Sequence, residues 1–413
     1  MAREYKDSGI EWIGQIPKEW KVSRIKTIFS ERTELSENGD ETLLSVSEYY
    51  GVANRKEKIE DGDFVSRADS LVGYKKCYKG DLVSNIMLAW KGSLGVTDID
   101  GIVSPAYCVY QPSKEVFPHY YHYLFRTSLF TSIFRLYSKG IIDSRLRLYS
   151  PFFFAISTLI PPFSEQQKIA DYLDKVCGEV DEMVTLQETM IEELKAYKQS
   201  VITEAVTKGL NPNVPMRDSG IDWIGVIPEH WKVMKIGFIF NNLDYLRKPI
   251  SAEQRERNNP RYDYYGASGV IDKIDHYNVE DKVLLIGEDG ANLVMRNLPL
   301  VYKAEGRFWV NNHAHILKPK KDDYDYMAHA LEAANYRNYI TGSAQPKLSQ
   351  ENLQAVKLPV PPISEQRIIA FYLDTKCSEI DSLIALKQAK IEELKEYKKS
   401  VIYEYVTGKK EVC

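Results

Sequence analysis

From Ser164 onward, apolar side chains recur at Ile169, Leu173, Val176, Val180, Met183, Met190, Leu194, Tyr197 and Val201, mostly in steps of three and four. Sustained over several turns, such a stripe is the pattern of a coiled-coil or bundle helix. A second stripe, through Leu373, Ile380, Leu394 and Val401, follows Ser364 in the same way. Ser164 is placed as an N-cap with Gln167 completing a capping box, and Pro161-Pro162 precede it where missing N–H groups cost nothing. Gly209 and Gly408 fall where C-terminal caps belong. Each helix is predicted to run about 43 residues, roughly 65 Å. The stripe breaks at Gln187 and Lys387, which predicts a local register shift toward Leu186 and Leu386; Lys376 and Lys390 make the second seam more polar. If the two helices pair antiparallel, Leu173, Val180, Leu194 and Val201 bury against Leu373, Ile380, Leu394 and Val401.

The helices are one part of a duplication. DSGIEWIGQIPKEWKV begins at Asp7 and DSGIDWIGVIPEHWKV at Asp218, while PPFSEQQKIADYLDKVCGEVDEM begins at Pro161 and PPISEQRIIAFYLDTKCSEIDSL at Pro361. The stretches between these near-copies differ strongly, yet Asp81-Leu82-Val83 and Asp281-Lys282-Val283 both lie in strand-like runs. Tyr107-Cys108-Val109-Tyr110-Gln111-Pro112 sits where the second half has His313-Ala314-His315-Ile316-Leu317-Lys318-Pro319. The expected fold is α+β: two globular α/β modules of one scaffold alternate with two long helices, packed as an antiparallel coiled coil about a pseudo-two-fold axis. The expected divisions are a first module at 1–158, a first helix at 159–210, a second module at 211–358 and a second helix at 359–413.

Composition narrows the class. Hydrophobic residues at 44% and charged residues at 27% are globular values. No run of about 18 apolar residues offers a membrane span, and MAREYKDSGIEW lacks the apolar core of a secretory signal. The five cysteines (Cys77, Cys108, Cys177, Cys377, Cys413) form no CxxC pair, which fits reduced thiols in a cytoplasm. A net charge of −4 excludes a uniformly basic coat for nucleic acid but allows a local basic face.

Catalytic motifs are missing. There is no G-x-x-x-x-G-K-[ST] phosphate loop. Ile160-Pro161-Pro162-Phe163 lacks the Asn or Asp that accepts from a target amine, and it and Val360-Pro361-Pro362-Ile363 are better placed as helix starts. His119-x-x-His122 and His313-x-His315 have no zinc-like partner, so no metal site is expected. Recognition chemistry is plentiful: tyrosines cluster at Tyr49-Tyr50, Tyr120-Tyr121 and Tyr264-Tyr265, and basic residues at Lys75-Lys76, Arg145-x-Arg147, Arg247-Lys248 and Lys318-x-Lys320-Lys321. Arg and Lys suit phosphates or guanine edges, and Asn or Gln suits adenine.

Over nearly its whole length the chain resembles the specificity subunit of type I restriction–modification enzymes. The resemblance rests on the doubled D-S-G-I-x-W-I-G-x-I-P-x-x-W and P-P-x-S-E-Q motifs. The second module adds Tyr265-Gly266-Ala267-Ser268-Gly269, Gly287-Glu288-Asp289-Gly290-Ala291-Asn292 and Gly342-Ser343-Ala344-Gln345-Pro346-Lys347-Leu348. The resemblance implies two target-recognition domains that each read half of a split double-stranded DNA site. It further implies helices that space them and dock two methylation subunits, and restriction subunits that join through that core. The chain itself would then hold no cofactor: S-adenosylmethionine belongs to the methylation subunits, and ATP and Mg to the restriction subunits. The DNA-facing candidates are Tyr265, Ser268, Asn292, Arg296, His313, His315, Ser343, Gln345 and Lys347 in the second module. In the first, which departs from the pattern with Met87-Leu88-Ala89-Trp90-Lys91-Gly92 and Ser138-Lys139-Gly140, they are Lys75, Lys76, Lys91, Lys139, Ser144, Arg145 and Arg147. The competing readings are a coiled-coil scaffold with tandem protein- or glycan-binding modules and a stand-alone methyltransferase.

Overall fold

In the computed structural model, residues 3–57, 70–251, 261–342 and 346–412 are described. The chain divides into two units, residues 1–187 with 389–413 and residues 188–388. Each unit therefore holds one globular module, half of one long helix and the complementary half of the other.

The first module is built on an antiparallel sheet in the spatial order Phe29–Arg32, Tyr107–Pro112, Leu82–Asn85, Leu94–Val96. Helices Pro118–Phe125 and Ser128–Tyr137 cover it with an aromatic core in which Tyr120, Tyr121, Phe125, Phe130, Phe134 and Phe153 are buried. The second module repeats that strand order with Phe240–Asn242, Ala314–Pro319, Val279–Gly287 and Val301–Val310. It then adds the hairpin of Tyr262–Gly266 and Gly269–Ile274, joined in parallel to Val301–Val310. One scaffold thus underlies both modules. The strands expected around Leu82-Val83 and Val283, and the match of 107–112 with 313–319, hold.

Each module's core is completed by helix residues of its own unit. Ile169, Ala170, Leu173, Cys177, Val401 and Val406 join the first core, and Ile202, Ala205, Val206, Ile369, Ala370, Leu373 and Cys377 the second. The helices span Phe163–Lys208, 46 residues, and Ile363–Val406, 44 residues. Both start one step after the Pro-Pro pair. The Pro162 carbonyl accepts from the N–H groups of Glu165 and Gln166 at 2.8 and 3.0 Å, and Pro362 accepts from Glu365 and Gln366 at 2.9 and 3.0 Å. The Ser164–Gln167 capping box is accordingly replaced: buried Gln166 reaches back to the Pro161 carbonyl at 2.8 Å, and Gln366 to that of Pro361 at 2.9 Å. Gly209 and Gly408 end the helices at φ +73°, and a Cβ on Gly408 would stand 2.6 Å from Pro17.

Within each unit the two helix halves run antiparallel. In the first, Tyr172 meets Tyr405 with ring centroids 4.5 Å apart, and Lys398 holds both oxygens of Asp181 at 2.7 Å. In the second, Lys198 holds Asp381 at 2.7 Å, and Lys387 Nζ lies 3.1 Å from Met190 Sδ. Partner numbers fall on one helix as they rise on the other.

Of the seam residues, Leu173, Val180, Leu373, Ile380, Leu394 and Val401 are buried, Leu173 and Val401 within the first module's core and Leu373 within the second's. Leu194 and Val201 are only half-buried. No register shift occurs. Leu186 and Leu386 are 53% and 67% exposed, because the stripe continues in regular three- and four-residue steps through Val184, Gln187 and Ile191, and through Ile384, Lys387 and Ile391. The half-buried Gln187 and Lys387 stay on the stripe, since long polar side chains can cover apolar surface with their stems.

Candidate nucleic-acid interface

The repeated motifs that are most visible in the sequence turn out to hold each module onto its helix. Buried Trp20 donates from Nε1 to Glu165 at 2.8 Å, and Trp231 donates to Glu365 at 2.9 Å. The carboxamide oxygen of Gln166 accepts from Phe117 N–H at 2.8 Å, and that of Gln366 from Asp323 N–H at 2.7 Å. Tyr120 and Tyr326 complete the joint by donating to the carbonyls of Val406 (2.7 Å) and Val206 (3.3 Å), which close the opposite helices. These residues assemble the scaffold, and recognition must be sought in what the scaffold presents.

In the second module three loops converge. Leu348 N–H donates to the Glu288 carbonyl at 2.9 Å and Gly290 N–H to that of Pro346 at 2.8 Å, joining segment 287–292 to the strand pair of Ile340–Thr341 and Lys347–Leu348. A Cβ on Gly287 would come within 2.4 Å of the Ala267 carbonyl, so glycine permits the 266–269 turn to close on this loop. Glu288 N–H donates to the His313 carbonyl at 2.9 Å. At the centre, the Glu288 carboxylate accepts from Lys347 at 2.8 Å and from Arg247 at 3.1 Å. Burial pushes the Glu288 carboxyl up, but the two cations outweigh it and hold it below the usual glutamate range. The hydrogen bond to Glu288 in turn raises the Lys347 ammonium. The turn bearing exposed Ser268, the His313 backbone and Lys347 are thus brought together around Glu288, with Arg247 as the second cation, whereas the Tyr265 ring packs against Phe308, 5.5 Å between centroids.

Several expected contacts lie elsewhere. His315 is 1% exposed, its Nδ1 2.6 Å from Asp244 and its Nε2 2.8 Å from the Leu348 carbonyl, so it pins that strand pair from beneath and cannot reach DNA. Although burial disfavours the Asp244 charge, the His315 contact, the Ile316 N–H and Arg247 hold its carboxyl low. Arg296 caps helix Tyr324–Ala333, donating to the carbonyls of Glu332 and Ala334 at 2.6 Å each. Asn292 closes its own loop on the Leu298 and Pro299 carbonyls. In each case a backbone carbonyl has claimed the side chain. Ser343 and Gln345 lie outside the described residues.

The first module repeats the loop joint with different side chains. Leu148 N–H donates to the Ile86 carbonyl at 2.9 Å, and Lys139 and Arg147 exchange both backbone hydrogen bonds at 2.9 Å. Lys91 and Arg135 stand over the Trp90 ring, 5.3 and 4.8 Å from its centroid, and Arg135 bridges to Asp143 at 2.7 Å. Lys91, Lys139, Ser144 and Arg145 are exposed, while Arg147 folds onto the Ser144 and Leu146 carbonyls. Lys75 and Lys76 are set apart on a strand paired with Gly101–Val103. Lys75 donates to the Tyr107 carbonyl at 2.6 Å, and Lys76 sits 3.6 Å from both Glu34 and Glu41. Lys75 is thus turned onto the backbone, and Lys76 lies between two carboxylates. Trp90 and Arg135 were not singled out beforehand; the aromatic between Leu88-Ala89 and Lys91 was the available signal.

Two like scaffolds with unlike loops define a duplicated protein whose modules present different surfaces. The chain belongs to the type I restriction modification DNA specificity domain family, whose profile matches residues 17–196 and 228–396. It is 23% identical to the putative type I restriction enzyme MjaX specificity subunit of Methanocaldococcus jannaschii, over 96% of this chain and 95% of that one. It is 34% identical to a putative type I restriction enzyme specificity subunit of Haemophilus influenzae, over 35% of this chain and 36% of that one. Among solved structures, the HsdS subunit from Thermoanaerobacter tengcongensis aligns with a TM-score of 0.54 at 16% identity, covering 97% of this chain and 99% of that one. A chain from a study of complex assembly and conformational transition of the type I R-M system aligns at 0.70 with 14% identity, covering 95% and 98%. These two likenesses concern the fold.

Proposed function

We propose that the chain is the non-catalytic subunit that reads a split double-stranded DNA target, one half-site per module, and carries two methylation subunits to which restriction subunits add. The observation that supports this most directly is the shared loop joint, Leu148 to Ile86 and Leu348 to Glu288, which bears different surface chemistry in each module. A scaffold held constant under loops that differ suits two unlike half-sites. In this reading residues 1–158 and 211–358 recognise DNA, and 159–210 and 359–413 space the modules and dock partners. S-adenosylmethionine belongs to the methylation subunits, and ATP and Mg to the restriction subunits, all in the cytoplasm where the DNA is. Lys91, Lys139, Arg145 and Lys347 would meet phosphates, an attraction that falls steeply with salt. Reconstitution with the methylation subunits, followed by methylation-sensitive sequencing of modified genomic DNA, should give a split adenine motif. A contiguous motif, or no sequence preference, would sink the reading and favour a protein- or glycan-binding scaffold.

A further inference from the structure

The tip of the first module's hairpin carries two isoleucines that point away from the protein. Ile141 is 98% exposed and Ile142 54%. They are not part of a loose segment. The Lys139–Arg147 pair closes the base of the hairpin with two 2.9 Å hydrogen bonds, and a Cβ on Gly140 would lie 2.5 Å from the Arg145 carbonyl, so the two limbs cross closely. Leu146 and Leu148 from the same hairpin are buried, which anchors its returning limb in the core. A short 3-10 turn, Asp143–Arg145, follows the isoleucines, and Asp143 is held by Arg135 at 2.7 Å. The tip is therefore a fixed apolar knob.

Its surroundings say what covers it. Lys139 and Arg145 flank the two isoleucines and are exposed, and Arg145 has no side-chain partner among the described residues. Arg135, over Trp90 beside Lys91, extends the same cationic rim. Arg135 already has Asp143 as its counter-charge and Lys139 lies over the Phe152 ring at 4.7 Å, but an apolar protein partner would leave Arg145 without a counter-charge, whereas a duplex supplies a phosphate row on either side of a groove floor. The only apolar group on the edges of base pairs is the thymine C5-methyl, which lies in the major groove. Resting on the reading that this module contacts DNA, we propose that Ile141 and Ile142 are specificity-determining residues that bury a thymine methyl of the first half-site, with Lys139 and Arg145 on the bordering phosphates. The two isoleucines offer no hydrogen bond, so they select by shape and by the methyl alone. That makes them a reader of T·A pairs distinct from any polar side chain of the loop.

The distinguishing probe is deoxyuridine, which removes the methyl and leaves base pairing intact. The full chain, complexed with its methylation subunits, is titrated against duplexes bearing its mapped target with single thymidine-to-deoxyuridine replacements. One replacement in the first half-site should weaken the wild-type complex by about fourfold, the value of one buried methyl group. The I141A or I142A complex should start weaker and lose nothing further from that replacement, while replacements in the second half-site act equally on all complexes. Strictly additive effects at every thymine of the first half-site, or a first half-site without an A·T pair, would overturn the proposal. So would loss of methylation-subunit binding in I141N with DNA discrimination unchanged, since the knob would then face protein. A wild-type complex that selects no split site at all would instead overturn the DNA-reading function beneath it, and the proposal with it.

Discussion

In the second module one carboxylate, Glu288, holds both Lys347 and Arg247. In the proposed function the two cations would be fixed before DNA arrives, which lowers the ordering cost of binding. Lys347→Ala should weaken binding to all sequences alike and flatten the salt dependence by about one phosphate contact. Glu288→Gln should act in the opposite electrostatic sense, raising affinity for non-specific duplex while blurring the second half-site; competition titrations against target and random DNA would show it. Because the Glu288 carboxyl lies below its unfolded value, its ion pairs stabilise the loops above the ordinary glutamate range and are lost as pH falls through the lower folded value. A titration of opposite kind sits in the first module. His122 accepts from Val96 N–H at 3.2 Å, and burial together with neighbouring Arg126 pushes it from 6.5 down to about 3. The unfolded chain takes up a proton there that the folded one refuses, so stability is full above about 6.5 and lost as pH falls toward about 3. His122→Gln should remove up to about 1.4 kcal/mol per pH unit from that slope in urea unfolding between pH 6.5 and 4.

At the scale of elements, the long helices do two jobs that their stripe alone does not separate. Near a module they are core: Leu173 and Leu373 are fully buried in the module clusters. Farther along they are a thinner seam, and Leu194 is only half-buried. Leu173→Ala should therefore cost roughly 2–5 kcal/mol, and Leu194→Ala about 1 kcal/mol, in equilibrium unfolding; equal costs would contradict this division. The helices, their ends and the shared strands were legible because period and repetition are properties of the sequence itself. The N-cap was not, since nothing local tells that Gln166 rather than Gln167 turns inward to meet backbone from a distant segment. For the same reason His315 and Arg296 looked like DNA contacts: a polar side chain in a loop motif gives no sign that a buried carbonyl or carboxylate has claimed it. Nothing in the pattern distinguishes Ile141 and Ile142 from core residues, yet both are exposed at the hairpin tip beyond the close approach of Gly140 to Arg145.

At the scale of the whole molecule, the duplication is read most clearly in two ion pairs. Asp181 with Lys398 in one unit and Lys198 with Asp381 in the other join matching positions of the repeated helices, each at 2.7 Å. The same Asp–Lys contact between helix halves thus recurs within each unit, as duplication of the helix sequence leads one to expect. Such exposed pairs add little stability, but they fix register, since sliding one helix past the other would set Asp181 and Asp381 against the wrong side chains. Both helices are continuous through the division between the units at residues 187 and 388. In the proposed function, helix length then sets the number of unread base pairs between the half-sites. Removing one heptad from each helix, residues 184–190 and 384–390, would keep the apolar stripe in phase and leave both ion pairs able to form. A heptad removes roughly 10 Å of helix, about three base pairs of duplex at 3.4 Å per step. Methylation-sensitive sequencing of DNA modified by the shortened complex should show the same two half-sites with a shorter spacer. Altered half-sites at an unchanged spacer would mean that the modules, and not the helices, set the distance.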